Sequence, residues 1–132
     1  MTNQRSVLVA IGVVLGLLGV GCSNDADACA DEQEQLARLS AEVDALIVAT
    51  GCQRVEDCRA AALGASPCGG PSSYATYCAP ATDVATLDSR RGDLVRQAAR
   101  VNKACALVGV CEVKTPPTLA LEDGRCVAKN EP

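Results

Sequence analysis

Two stretches of this chain carry apolar residues at spacings of three and four, the period of a helix with one buried face. In the first, Leu36, Leu39, Val43, Leu46 and Ile47 form a single stripe. Asp31, Glu32 and Glu34 precede it, where acids meet the positive end of a helix dipole, and Gly51 is the expected stop. In the second, Val84, Leu87, Leu94, Ala98, Val101, Cys105 and Val108 keep the rhythm, with Arg91 in the one missed step. Thr82 or Asp83 is its expected N-cap. Gly92 sits inside at a cost of about 1 kcal/mol against Ala, and Gly109 is the expected end. Two striped helices of this length are expected to pack as an antiparallel pair.

The pattern between and beyond them changes character. Arg59-Ala-Ala-Ala-Leu63 predicts a short helical turn closed by Gly64, followed by the turn-rich stretch from Ala65 to Pro80. Within that stretch Tyr74 to Cys78 suits a short strand, because Tyr and Thr fit a pleated surface. Cys111–Thr115, Thr118–Leu121 and Arg125–Lys129 predict further short strands, and Asp123-Gly124 is a hairpin signal. The expected fold is α+β, helix-dominated and disulfide-rich. It combines an antiparallel pair of long helices with a short helix and a small antiparallel sheet or hairpin.

The N-terminus follows neither period. Met1 to Arg5 is a polar head with one positive charge, and Val7 to Val20 is an unbroken run of Val, Leu, Ile, Ala and Gly. That is the build of a secretory signal. The run is short of the roughly 20 apolar residues that a membrane span needs, and polar, acidic Ser23 to Asp27 follows it. Gly19-Val20-Gly21-Cys22 resembles the lipobox of bacterial lipoprotein signals, with Gly19 where Leu is usual and Leu18 one place earlier. The resemblance implies a diacylglyceryl group on Cys22, which becomes the mature N-terminus. It also implies cell-envelope anchoring, and Ser23 resembles the outer-membrane sorting default of Gram-negative bacteria. Ordinary cleavage further on, after Ala28, is the alternative. The expected layout is a signal peptide over 1–21, a tether over 22–28 and one domain over 29–132.

Composition makes that domain dependent on its cysteines. The chain has no Phe, no Trp, two Tyr and a net charge of −4. Aromatics usually dominate core energetics, so the core is thin. The acidic balance argues against a nucleic-acid partner. Nine cysteines is an odd number, but assigning Cys22 to lipid leaves Cys29, Cys52, Cys58, Cys68, Cys78, Cys105, Cys111 and Cys126. In an oxidising compartment these are expected to form four disulfides. Connectivity stays open. Antiparallel helices would bring Cys29 near Cys105 or Cys111, and Cys52 near Cys78.

Candidate chemistry is sparse. The chain has no His, which removes His-based triads and the commonest metal ligand. It has no Cys-x-x-Cys pair for zinc or thioredoxin-like redox work, and Gly69-Gly70-Pro71 lacks the Lys and helix of a phosphate loop. No cofactor or metal is expected. The acidic pairs Glu56-Asp57 and Glu122-Asp123 read as solvated surface. Cys58, then Cys68-Gly69-Gly70-Pro71, then Tyr74 and Tyr77 resembles a pattern in small cysteine-rich exported bacterial proteins of uncharacterised function. The simplest account of Gly-Gly-Pro is a tight turn set by disulfide geometry. The functional account is a rigid loop presenting Tyr74 and Tyr77 to a protein partner, although two lone aromatics in a poor core are expected to be buried.

The sequence therefore predicts a lipid-anchored envelope protein with a non-catalytic binding or structural role. The alternative is a proteinase inhibitor with Lys114-Thr-Pro-Pro-Thr118 as its exposed loop. An enzyme ranks behind both.

Overall fold

The structure is a computed structural model that describes residues 25–129. The leader, its Cys22 and the first residues of the tether lie outside the described residues. The chain is α+β. Helix α1 spans Asp25–Leu46, strands β1 and β2 span Cys58–Leu63 and Ser73–Cys78, helix α2 spans Val84–Ala104, and strands β3 and β4 span Thr118–Glu122 and Arg125–Lys129. Each strand pair is its own two-stranded antiparallel sheet.

Helix α1 begins earlier than the acidic cluster suggests. Asp25 to Ala28, expected in the tether, are helical, and Asp25 and Asp27 are the acids of the first turn. The helix stops at Leu46. Gly51 instead takes a left-handed φ of +94° five residues later, so the chain runs irregularly from Ile47 to Thr50. Every residue of the predicted stripe enters the core: Val43 is fully buried, and Leu36, Leu39, Leu46 and Ile47 pack around it.

Helix α2 is capped as expected by Asp83, whose carboxylate accepts hydrogen bonds from the Thr86 amide at 3.1 Å and the Thr86 hydroxyl at 2.7 Å. Leu87, Leu94, Ala98 and Val101 are buried. The helix ends at Ala104 rather than near Gly109. The Leu107 amide donates to the Asn102 carbonyl at 2.9 Å and the Ala106 amide to Lys103 at 3.2 Å. Ala106 sits at φ +47°. This is a Schellman ending, and once those carbonyls are satisfied the chain leaves the helix axis.

The two helices lie side by side. Cys29 is bonded to Cys105, Glu32 meets Gln97 and Arg100, and Glu42 meets Arg90 at 3.6 Å. Partners on α2 descend in number as those on α1 climb. Gln97 is a buried polar residue on this seam. Its amide nitrogen donates to the Glu32 carbonyl at 2.9 Å and to the Glu32 carboxylate, and its oxygen accepts from Arg100. Burial of an amide is tolerated because each end has a partner.

The predicted helical turn over Arg59–Leu63 is a strand. An isolated segment of that length cannot repay helix nucleation, whereas six ladder positions against β2 satisfy its backbone, from Cys58 opposite Cys78 to Leu63 opposite Ser73. Its small alanines also let α2 come close. Ala61 is fully buried, and the Arg91 guanidinium donates to the Ala62 carbonyl at 3.0 Å. The helical turns that do occur near this hairpin are 3-10 turns at Val55–Asp57 and Ala79–Ala81. Cys111–Thr115, expected as a strand, is irregular. The Asp123-Gly124 hairpin forms as expected, with both residues at positive φ, +48° and +75°, the requirement of a two-residue type I′ turn.

The segment after α1 stitches the hairpins together. The Cys78 amide donates to Val48 at 2.7 Å, the Cys126 amide to Ala49 at 2.8 Å and the Gly51 amide to Gly124 at 2.9 Å. Thr76 adds a hydroxyl bond to the Cys126 carbonyl at 2.9 Å. The molecule thus has two cores. One is aliphatic, around Val43, Ala61, Tyr77, Leu87 and Leu94. The other consists of the buried cysteines 52, 58, 78 and 126 under Leu119 and Leu121.

Candidate functional site

All eight cysteines of the described residues are paired with one another: Cys29–Cys105, Cys52–Cys78, Cys58–Cys126 and Cys68–Cys111. The helix layout allows Cys29 to meet Cys105 or Cys111 and Cys52 to meet Cys78; the bonds formed are to Cys105 and to Cys78. The hairpin register alone would have misled, because Cys58 faces Cys78 across β1 and β2 and each is bonded elsewhere. The sulfurs of Cys52, Cys58 and Cys126 lie within 4.8 Å of one another. That is metal-cluster spacing, but every sulfur in the group is already in an S–S bond, and metal binding requires a thiolate.

Of the two tyrosines read as candidate partner contacts, Tyr77 is 7 % exposed and its ring belongs to the aliphatic core. It is not a surface contact, because a core with no Phe or Trp takes the aromatic it has. Tyr74 is half-buried, and its hydroxyl lies 3.5 Å from the Lys114 carbonyl, to which it donates. It lies against the segment that follows α2. Cys68-Gly69-Gly70-Pro71 is the tip of the β1–β2 connection. Gly69 and Gly70 have φ of +95° and +76°, and Ser66 bonds across them, its amide donating to Gly70 at 2.9 Å and its carbonyl accepting from Gly69 at 3.0 Å. The motif is a turn that offers the Cys68 sulfur to Cys111. The acidic pairs also have ordinary partners: Asp57 binds the Arg54 guanidinium at 3.0 Å, holding it above its usual pKa chiefly through that hydrogen bond, and Glu122 lies 3.7 Å from Lys129.

The feature that pattern reading missed is the connection from Cys105 to Pro117. Residues 106–116 are exposed throughout, yet the segment is fastened at three points: by the Cys29–Cys105 bond, by the Cys68–Cys111 bond and by Tyr74. Gly109 packs on Pro67 closely enough that an added Cβ would lie 3.4 Å from the ring. Between these fastenings Val108, Val110 and Val113 are 98 %, 92 % and 86 % exposed. The only sequence signal was a run of apolar residues after the last polar turn of α2, and the three-four rhythm absorbed Val108 into the helix.

The inner side of this segment, with α1, α2 and the β1–β2 turn, encloses an open cleft of about 590 Å³. Its floor is apolar, from Leu36, Leu63, Leu94, Ala98 and Val101. Its rim is polar, from Ser40, Asp44, Asn102, Glu112 and Lys114. The Asn102 side chain is held by the Ala65 carbonyl at 2.9 Å, and Lys114 is paired to Glu112 at 3.0 Å. An apolar floor with a few polar rim groups, at this size, suits a small-molecule or side-chain binding site. No helix of the described residues is long and apolar enough to cross a membrane, and four disulfides are compatible with an extracytoplasmic setting. No family model, curated protein or solved structure matches this chain.

Proposed function

We propose that the chain is a lipid-anchored protein of the bacterial cell envelope whose disulfide-stapled domain binds a partner rather than catalysing a reaction. The observation that carries this reading is the closed pairing of the eight cysteines from Cys29 to Cys126. None of them is left as a partner for Cys22, which stands at the end of a lipobox-like leader. The domain's scaffold is an antiparallel pair of long helices, a reading supported by the opposite order of partners along α1 and α2. Binding falls to the cleft under the Cys105–Pro117 segment, and Tyr74 contributes by fixing one wall of it. Anchoring is to the outer membrane if the source is Gram-negative.

Mass spectrometry of the mature protein with disulfides intact tests the anchor. The expected N-terminal residue is Cys22 carrying a diacylglyceryl thioether, with no free thiol available to alkylation. A mature chain beginning after Ala28, or an unmodified Cys22, overturns it.

One observation favours a second reading, a proteinase inhibitor. The exposed Lys114-Thr-Pro-Pro run is held near its start by the Cys68–Cys111 bond, and its two prolines restrict it further, as a loop that must resist cleavage requires. Titration against trypsin-like and subtilisin-like proteases separates the two. Inhibition of trypsin that Lys114→Ala abolishes supports the inhibitor, and uninhibited proteases remove it.

A further inference from the structure

We infer that the loop Leu107–Val113 is a lipid-contacting surface that seats the domain on the bilayer holding its anchor; this rests on the proposed acylation of Cys22. Val108, Val110 and Val113 are almost wholly exposed, on a chain with no Phe or Trp to spare for its core. Three such valines within six residues are a local concentration of apolar exposure, which on a small domain marks an interaction site. The segment is held where it is: Cys105 and Cys111 are bonded to Cys29 and Cys68, and Gly109 rests on Pro67. Val108 and Val110 lie between these two bonds, and Val113 lies between Cys111 and the Lys114 carbonyl that Tyr74 meets.

The position of the loop identifies what covers it. The Cys29–Cys105 bond holds the first turns of α1 against the end of α2, with Cα atoms 4.8 Å apart. Ala106, where the loop begins, shares a surface hollow with Asp25 and Ala28. Cys22 is three residues before Asp25, a reach of about 10 Å even when fully extended. Acyl chains on Cys22 would thus enter the membrane beside the base of this loop, and a bilayer is the apolar phase that arrives there without a separate encounter. A few valines bind lipid too weakly to recruit a protein alone. Once acyl chains hold the domain at the surface, the contact becomes intramolecular and its effective concentration is high. The nearby charges are mixed: Arg100 and Lys103 share the hollow with Asp25 and Glu32, and Lys114 is paired to Glu112. The contact is therefore apolar rather than electrostatic, and it forms on uncharged lipid.

Because the chain contains no Trp, a single introduced Trp reports depth without background. Val110→Trp, Val113→Trp and, as a distal control beyond the other end of α1, Val55→Trp are placed in the full chain. Each protein is purified in its processed form and reconstituted into phosphatidylcholine vesicles with or without brominated acyl chains. Acylation of Cys22 is read by mass spectrometry on the same samples, and folding by circular dichroism. The expected result is several-fold stronger bromine quenching at positions 110 and 113 than at 55, unchanged by added salt. To show that Trp itself does not create the contact, Val108→Asp with Val110→Asp is added to the Val113→Trp protein, and its quenching should fall to the level of the control. Quenching at 110 and 113 no greater than at 55, on acylated protein, overturns the loop contact and leaves the anchor standing. Loss of quenching in high salt, or its persistence in the double Asp variant, also overturns the apolar contact. Absence of an acyl group on Cys22 overturns both.

Discussion

Ala106 occupies a place that usually belongs to glycine. It closes the Schellman ending of α2 at φ +47°, and a Cβ in the left-handed region costs roughly 1–2 kcal/mol. Ala106→Gly is therefore expected to raise stability by about 1 kcal/mol after the glycine's added unfolded-state freedom is deducted. The urea midpoint measures it, and a lower midpoint would mean that the Ala106 methyl group makes a contact worth more than the strain. At the other end of the same helix, Asp83 has its pKa lowered, first by the Thr86 hydroxyl bond and then by the Thr86 amide. A lowered folded-state pKa means that the ionised cap stabilises fully above the ordinary Asp value. That contribution disappears as pH falls through the lowered one. Asp83→Asn keeps an acceptor and loses the charge. The gap in melting temperature between the parent and this variant is expected to be widest near neutrality, to narrow below about pH 4 and to close as pH passes the lowered value. A gap that stays constant into acid would show that the carboxylate charge plays no part in the cap.

At the scale of elements, the helices were legible because each stripe is set by local spacing, and every predicted residue from Leu36 to Ile47 reached the core. What was not legible depended on distant partners. Arg59–Leu63 has the composition of a helix and forms a strand because β2 lies opposite it. Gln97 looked like an ordinary polar position and is buried because Glu32, sixty-five residues away, meets it. The loop from Cys105 to Pro117 was hidden by the continuity of the apolar rhythm into Val108, and only the Schellman bonds at Asn102 and Lys103 reveal the break. The helix seam itself has two supports, the Glu32–Gln97–Arg100 cluster and the Cys29–Cys105 bond. Removing the latter with Cys29→Ala and Cys105→Ala frees a loop of sequence separation 76 and is expected to cost roughly 2–4 kcal/mol. Amide exchange should rise in α1 before Glu32 and stay slow around Leu87. Uniform acceleration through both helices would instead show that the bond secures the whole pair.

Across the whole molecule the cysteines divide into two classes that the sequence did not distinguish. Cys52, Cys58, Cys78 and Cys126 are buried, at 4 %, 2 %, 0 % and 1 % exposure, and their two bonds form the core between the hairpins. Cys68 and Cys111 are exposed, and Cys29 and Cys105 are half-buried. Disulfides are reduced by thiolate attack along an open path to sulfur, so exposure should set the order. With a mild reductant, alkylation and mass mapping should find Cys68 and Cys111 labelled first, then Cys29 and Cys105, while near-native circular dichroism persists. The buried pairs can be reached only when the hairpins separate. Three backbone bonds join them to the segment 48–51, at Val48, Ala49 and Gly51, and the Thr76 hydroxyl joins them to each other, so all four buried cysteines should become labelled in one step, together with loss of structure. The first step should also release the exposed loop from the β1–β2 turn, removing the wall of the cleft and the rigid valine surface while the two cores stay folded. If Cys58 or Cys126 is labelled before Cys68, the sulfur core is not the last part of the molecule to open, and the division into a durable centre and a detachable loop is wrong.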